Sequence, residues 1–404
     1  MKILFIHQNM PGQFKHLAPA MAKAGHDVVF LTRREDAALP GVRRATYAAP
    51  RASRASTHHY VRLYENCILS GQQATRAAID LQQKHGFVPD VIVAHPGWGE
   101  SFFMKDLYPK VPLLHYCEFY YAGVGADAGF DREDPLNFDA VCRVRARNAN
   151  LLMNLEACDA GLSPTHWQRE RHPAALRDKI SVIFDGIDTA RIAPDPAAAF
   201  TLPDGRKLTR DSEVITYVSR NLEPYRGYPN FIRALPRILA ARPNAQVVVV
   251  GGDDVSYSRT PPDAANWREQ MAKEVPLDST RVHFTGRIPY AQYLALLQLS
   301  SLHIYLTVPF VLSWSCIEAM SAGCLVLGSA TPPVEEVITD QVNGLLCDFH
   351  SPEDIAEKAI AALAAGRGLD DLRRLARETV LDRYDLKLCL PRQMRLVESL
   401  RERM

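Results

Sequence analysis

Residues 2–31 read KILFIHQNMPGQFKHLAPAMAKAGHDVVFL, and their pattern decides the fold. Residues 3–6 are an unbroken apolar run, as a strand buried on both faces requires. Phe14, Leu17, Ala18, Met21 and Ala22 then fall on one helical face. Gly25 supplies a stop, and residues 28–31 form the next apolar run. Strand, helix and strand in so short a span predict a βαβ unit in a parallel sheet.

The same alternation continues outward. Further strands are expected at 91–94, 113–116, 160–162 and 180–184, with helices at about 60–84 and 139–157. Residues 190–213, including PDPAAAFTLPDG, lack periodicity and read as a linker. A second series follows, with strands at 215–218, 246–250, 282–284, 302–306, 325–327 and one near 345. Its helices are expected at about 228–241, 289–299, 315–322, 353–365 and 369–383, and a last amphipathic helix at 387–402. The fold class is α/β, with two doubly wound Rossmann-like domains and an inter-domain cleft. Ligands in such sheets sit at the carboxyl ends of the strands, where helix N-termini point.

Bulk properties narrow the function. A chain of 404 residues is longer than one core usually serves. A formal charge of +1 argues against a general nucleic-acid binder while allowing a local basic pocket. The eight cysteines, at 67, 117, 142, 158, 316, 324, 347 and 389, show no CxxC or zinc-finger spacing. They read as reduced thiols of a cytoplasmic enzyme, several of them packed in the core. The apolar run at the N-terminus is too short for a signal peptide or a membrane span, and no stretch is long enough to cross a bilayer. Peripheral contact with the inner face of the membrane stays open.

Three loops carry the chemistry. In HQNMPGQF, Gly12 precedes a helix start, where the backbone can approach an anion, although Pro-Gly is also an ordinary turn. In SRNLEPYRG, Arg220 and Arg226 flank a turn at a strand end. Guanidinium forks match phosphate oxygens, and each charge-assisted bond is worth roughly 1.5–3 kcal/mol, enough for two arginines to hold a diphosphate without a metal. The plain alternative is a surface arginine paired with Glu223. In SWSCIEAMSAG, the helix start at Trp314 and Ser315 offers N–H groups to a phosphate, and Glu318 could accept two ribose hydroxyls. Alternatively, Ser315 and Glu318 form a capping box.

Together these stretches resemble the retaining glycosyltransferases of family 4, which have the GT-B fold. The resemblance spans nearly the whole chain: KILFIHQNMPGQF with AGHDV, SVIFDGID, SRNLEPYRG, VHFTGRIP, IEAMSAGCLVLGS, PPVEEVI and NGLL. It implies that Arg220 and Arg226 bind the donor diphosphate and Glu318 the donor ribose. It also implies that backbone near Arg287 and Ile288 flanks the base. The last helix is implied to cross back onto the first domain, giving an acceptor-side domain at 1–195 plus 385–404 and a donor-binding domain at 200–384. One position departs from the family. Phe310 stands where the first glutamate of a frequent pair contacts the donor sugar, and a phenyl ring cannot accept a hydroxyl hydrogen bond.

The mechanism implied is departure of a diphosphate whose growing charge is met by Arg220, Arg226 and helix N–H groups. His95 ends a strand and is expected to face the cleft, where the resemblance implies contact with the donor sugar or support of the transferred charge; the plain alternative is a packed loop histidine. Glu118 ends the next, where it could contact the acceptor or assist its deprotonation. Trp98, Phe119, Tyr120 and Tyr121 could stack on an acceptor sugar or pack in the core. Asp253-Asp254 and Asp131–Asp134 lack metal-site spacing, so no metal and no cofactor are expected beyond the nucleotide sugar. The acceptor could be a sugar, a lipid-linked sugar or another small molecule, in cell-envelope, exopolysaccharide or glycolipid synthesis. A dehydrogenase is disfavoured because no GxGxxG follows the first strand. An epimerase of GT-B fold, a non-catalytic nucleotide-sugar binder and an inactive homologue remain as alternatives. The oligomeric state is not legible.

Overall fold

A computed structural model of the chain describes residues 1–402. The chain divides into two compact units, Met1–Ala128 with Leu136–Gly186 and the C-terminal segment from Lys387, and Gly129–Pro135 with Ile187–Leu386.

The first unit holds seven parallel strands: β1 (Lys2–Ile6), β2 (Asp27–Thr32), β3 (Arg43–Thr46), β4 (Val91–Ala94), β5 (Leu113–Tyr116), β6 (Ala160–Ser163) and β7 (Ile180–Val182). Their order is β3-β2-β1-β4-β5-β6-β7, with Leu4 seated between Val29 and Ile92. Nearly every residue of the inner strands is buried, which explains why the sequence shows apolar runs and not alternation. The helix Leu386–Glu402 turns Cys389, Gln393, Val397 and Leu400 inward. Gln393 donates to the carbonyl of Phe184 at 2.9 Å, and Glu398 meets His26 at 3.3 Å. Residues 403–404 of the expected crossing segment lie outside the described residues.

The second unit begins with an antiparallel hairpin, β8 (Ala199–Thr201) and β9 (Lys207–Thr209). Six parallel strands follow: β10 (Val214–Asn221), β11 (Gln246–Gly252), β12 (Val282–Gly286), β13 (Leu302–Tyr305), β14 (Val326–Ser329) and β15 (Leu345–Cys347). They run in the order β12-β11-β10-β13-β14-β15. Each large sheet reverses its direction of growth once, between β1 and β4 and between β10 and β13. Such a switch point leaves a crevice at the carboxyl ends of the two strands.

Two boundary expectations are corrected. Residues 190–213 are not a structureless linker: Phe200, Leu202 and Leu208 of the hairpin pack with Val214, Val248 and Leu296 in the second unit's core. The units separate at Gly186/Ile187 and not near 195, because the Ile187 amide donates to Tyr384 and the Leu386 amide donates to Ile187. Residues 129–135 also belong to the second unit. Phe130 packs on Phe349, and Glu133 pairs with Arg233.

All eight cysteines are free and seven are buried. Among the described residues no helix is long and apolar enough to cross a membrane.

Candidate active site

The second unit builds its site at the β10/β13 switch point. β10 runs into Leu222 and Glu223, a 3-10 turn at Pro224–Arg226, and then Gly227, which opens the helix Tyr228–Ala241. Gly227 has φ +65°, and a Cβ there would lie 2.5 Å from the Cβ of Leu306. Both the backbone conformation and the closeness of the chain after β13 therefore require glycine. The Tyr217 hydroxyl donates to the Arg226 carbonyl at 2.6 Å, fixing the turn from below.

Glu223 does not pair with either arginine. It is buried, and its carboxylate accepts from the amides of Ser256, Tyr257 and Ser258 at 3.1, 3.0 and 2.9 Å. The sequence alternative of an Arg–Glu surface pair is thus not realised. Glu223 instead ties the segment after β11 onto the arginine loop.

Arg226 is half-buried. Its Nη1 donates to Thr307 Oγ1 at 2.8 Å and to the Val311 carbonyl at 3.3 Å, with the guanidinium 5.9 Å from the Tyr257 ring centre. Arg220 is exposed, with no hydrogen-bond or ion-pair partner among the described residues. One arginine is held in place and the other is available. Phe310 is 4% exposed and packs edge-on against Tyr225 and Tyr257, at 5.4 and 4.9 Å. Its ring completes an aromatic wall beside Arg226 and offers no acceptor atom.

The helix Trp314–Ser321 follows β13, and its cap is Ser313, whose hydroxyl accepts from the Ser315 amide at 3.3 Å. This shift rules out the capping box: Glu318 sits in the second turn. Its buried carboxylate accepts from Tyr290 Oη at 2.9 Å and Tyr293 Oη at 2.7 Å. Burial and the neighbouring carboxylate push both phenols above their usual range. A carboxylate has about four lone-pair directions, so two more donors can be accommodated. Sequence reading missed both tyrosines, and also Arg191, whose guanidinium lies 4.9 Å from the Tyr290 ring centre. The phenols sit three apart at the start of a helix, directly after FTGRIP, which is the one signal that could have marked them.

Arg287 donates to Asn221 Oδ1 at 2.8 Å and pairs with Asp254 at 3.2 Å. Ile288 packs its side chain on the hydrophobic core beside the hairpin, which leaves its backbone as the part a ligand could meet. Asp253 pairs with Arg268. Among the described residues no group of three potential ligands could hold a metal ion.

The first unit builds a second constellation at its own switch point. His7 follows β1, His95 follows β4 and Glu118 follows β5. Glu118 Oε2 lies 3.3 Å from His95 Nε2, and Oε1 accepts from Gln13 Nε2 at 2.7 Å. These partners, His95 foremost, hold the Glu118 carboxyl below its usual range against the opposing effect of burial. Its side chain is 32% exposed, so it is both fixed and reachable. Trp98 packs 4.8 Å from the His95 ring, and Tyr116 stacks on the other side at 5.7 Å. A cavity of about 120 Å³ opens here, with Tyr64, Trp98, Glu118, Phe119, Tyr121 and Arg147 among its lining residues. Arg147 stacks 3.7 Å from the Tyr121 ring centre. Tyr120 is not among the lining residues but packs 5.9 Å from His172, which is one of them.

Gly12 has φ +51°, and a Cβ there would lie 2.4 Å from His7 Nε2. The space that glycine leaves is filled by an imidazole of the same unit, a reason for glycine that needs no ligand.

Two doubly wound units, each with candidate site residues at the switch point of its sheet, have the architecture of the GT-B fold. Comparison with known proteins agrees. The family model described as glycosyl transferase family 4 group matches residues 24–192, and that for glycosyl transferases group 1 matches residues 203–379. Glycogen synthase of Mycobacterium tuberculosis is 26% identical over 374 residues, covering 88% of this chain and 81% of that protein. D-inositol 3-phosphate glycosyltransferase of Kribbella flavida is 26% identical over 194 residues, covering 47% of this chain and 44% of that protein. Among solved structures, sucrose-phosphate synthase from Thermosynechococcus elongatus superposes with a TM-score of 0.72 over 100% of both chains at 18% identity. Anabaena HepE in complex with UDP-glucose gives 0.68 over 99% of this chain and 100% of its own, at 15% identity. The chain belongs to the family 4 glycosyltransferases of GT-B fold.

Proposed function

We propose that this glycosyltransferase moves a sugar from a nucleoside-diphosphate donor to a hydroxyl acceptor with retention of anomeric configuration and without a divalent cation. In this reading Arg220, Arg226 and the helix start at Trp314 and Ser315 take the diphosphate. Glu318 takes the ribose, and backbone at Arg287 and Ile288 flanks the base. As the glycosidic bond breaks, negative charge gathers on the departing diphosphate. A guanidinium already anchored costs little reorganisation at that moment, which is how a preorganised site lowers a barrier. The observation that carries the reading is the Arg226 fork, held by Thr307 and Val311 beside a capped helix N-terminus. Glu118 serves the acceptor side, and the neighbouring His95 meets the donor sugar or the transferred charge.

Turnover of UDP-, GDP- and ADP-sugars with and without acceptor tests this. Nucleoside diphosphate released only with acceptor supports transfer, a changed sugar means epimerisation, and binding alone means a sensor. Loss of turnover in EDTA with rescue by Mg²⁺ would refute the metal-free part.

We further propose that the acceptor lies in cell-envelope, exopolysaccharide or glycolipid synthesis and that the first unit touches the membrane. Its basic residues outnumber its acidic ones, and Val124 and Phe138 are 84% and 82% exposed. Such a mix of cationic and apolar surface favours an anionic bilayer. Co-sedimentation with phosphatidylglycerol vesicles, absent with phosphatidylcholine, is expected. Equal recovery in both supernatants would remove this proposal.

A further inference from the structure

We infer that His7 is a positioning residue for Glu118, acting through the side chain of Gln13. The inference rests on the reading of Glu118 as an acceptor-side group. Counting donors and acceptors fixes the chain of contacts. His7 Nδ1 accepts from the Asn9 amide at 2.9 Å, so the ring proton of the neutral imidazole is on Nε2. That N–H faces Gln13 Oε1 at 2.9 Å. The Gln13 amide is thereby oriented, with its NH₂ toward Glu118 Oε1 at 2.7 Å. On the other side, His95 Nδ1 accepts from the Gly97 amide at 3.1 Å, which leaves Nε2–H for Glu118 Oε2 at 3.3 Å. Each carboxylate oxygen receives one N–H and keeps a second lone pair for a ligand hydroxyl.

The relay is built to stay in one state. His7 is 2% exposed and boxed by Phe14, Trp98 and His95, with ring centres 6.1, 5.0 and 5.1 Å away. Gly12 leaves room for it. Burial, with His95 beside it, lowers the His7 pKa to about 3, so the imidazole stays neutral. Protonation would strip Nδ1 of its acceptor role and break the register of the relay. The charged and titratable groups around Glu118 are His95 after β4, His7 behind Gln13 after β1 and Tyr116 of β5, with His115, Cys117, Arg147 and His172 lining the same cavity. The Tyr116 hydroxyl is bound by Asp185, while Gln168 donates only to the Glu118 carbonyl. Among the described residues nothing else bonds Oε1, so the glutamine decides where that oxygen points.

Four variants test this: Glu118→Gln, His7→Phe, His7→Gln and Gln13→Glu, each assayed for acceptor KM, kcat and the pH profile of kcat/KM. His7→Phe keeps a ring against Trp98 and deletes the relay. It should cost about ten- to a hundredfold in kcat/KM for the acceptor while leaving affinity for nucleoside diphosphate unchanged. His7→Gln, which can accept and donate, should recover part of the loss. Gln13→Glu places a second carboxylate against Glu118, so the acid limb of the profile should move to higher pH, a shift that simple loosening would not produce. Should His7→Phe fail to fold, that shift alone decides. An impaired Glu118→Gln enzyme with wild-type His7→Phe and an unmoved Gln13→Glu profile would overturn the inference and leave the acceptor reading standing. A fully active Glu118→Gln enzyme would overturn the reading itself.

Discussion

Replacing Arg226 by alanine is the sharpest probe of the donor site. In the structure its Nη1 is committed to Thr307 Oγ1 and the Val311 carbonyl, and the five-donor guanidinium has further N–H groups to offer. One charge-assisted hydrogen bond to phosphate contributes about 1.5–3 kcal/mol, or about ten- to 150-fold in affinity. Arg226→Ala should therefore weaken nucleoside-diphosphate binding by at least tenfold. Arg226→Lys, which keeps the charge and loses the planar fork, should fall between. Arg220→Ala should show a separate loss without touching the fold, because Arg220 has no partner to lose among the described residues. Calorimetric titration with UDP, GDP and ADP measures all three. Ligand-induced rises in melting temperature give an independent reading, since a ligand that binds only the native state stabilises it in proportion to its affinity. An Arg226→Ala protein that binds the wild-type's preferred nucleotide as tightly as wild type would refute the reasoning.

Other perturbations are expected to read out in parallel. Tyr293→Phe removes a donor from the buried Glu318 carboxylate. It should lower stability by about 1.5–3 kcal/mol in chemical denaturation, and an unchanged midpoint would show the contact to be idle. Phe200→Ala opens a cavity where the hairpin meets β10 and should cost about 3 kcal/mol or more, whereas a true linker would lose almost nothing. Burial lowers the pKa of His7 and His115 to about 3 and of His172 to about 4. Between about pH 6.5 and 4 the unfolded chain binds protons that the folded first unit does not. Stability should then fall on acidification by up to about 1.4 kcal/mol per pH unit for each histidine, and a flat melting temperature from pH 7 to 5 would contradict it.

Periodicity made the fold legible because parallel strands buried on both faces leave long apolar runs. It failed where burial is one-sided and short. Phe200, Leu202 and Leu208 alternate across a tiny hairpin, and the Pro and Gly around them masked three core residues as linker. The arginine loop stood out because phosphate chemistry favours a specific residue type. The tyrosines on Glu318 did not, since a phenol can serve a core as well as a carboxylate and the choice is made by a neighbouring helix. His7 was hidden for a similar reason. It lies five residues from Gly12 in sequence, yet the imidazole and the missing side chain share one space.

Three glutamates show why residue identity alone leaves function ambiguous and hydrogen-bond accounting resolves it. Each ends a strand or sits in the first turns of a helix, and each could be a ligand group or a structural one. Glu223 is buried and accepts from three consecutive amides, all of them at Oε2. It is a clasp, and Glu223→Gln should loosen the 256–258 segment before it alters chemistry. Glu318 accepts from two phenols, one of them on the half-open Tyr290, and keeps lone pairs in hand. Glu118 receives one N–H on each oxygen and stays one-third exposed. The number of donors already bound, three amides on a buried Glu223, two phenols on Glu318 and two N–H groups on a one-third-exposed Glu118, orders the three from structural to ligand-facing. The same count separates the arginines: Arg226 has an anchored edge and Arg220 has no partner among the described residues, so the proposed donor site assigns orientation to the first and charge to the second.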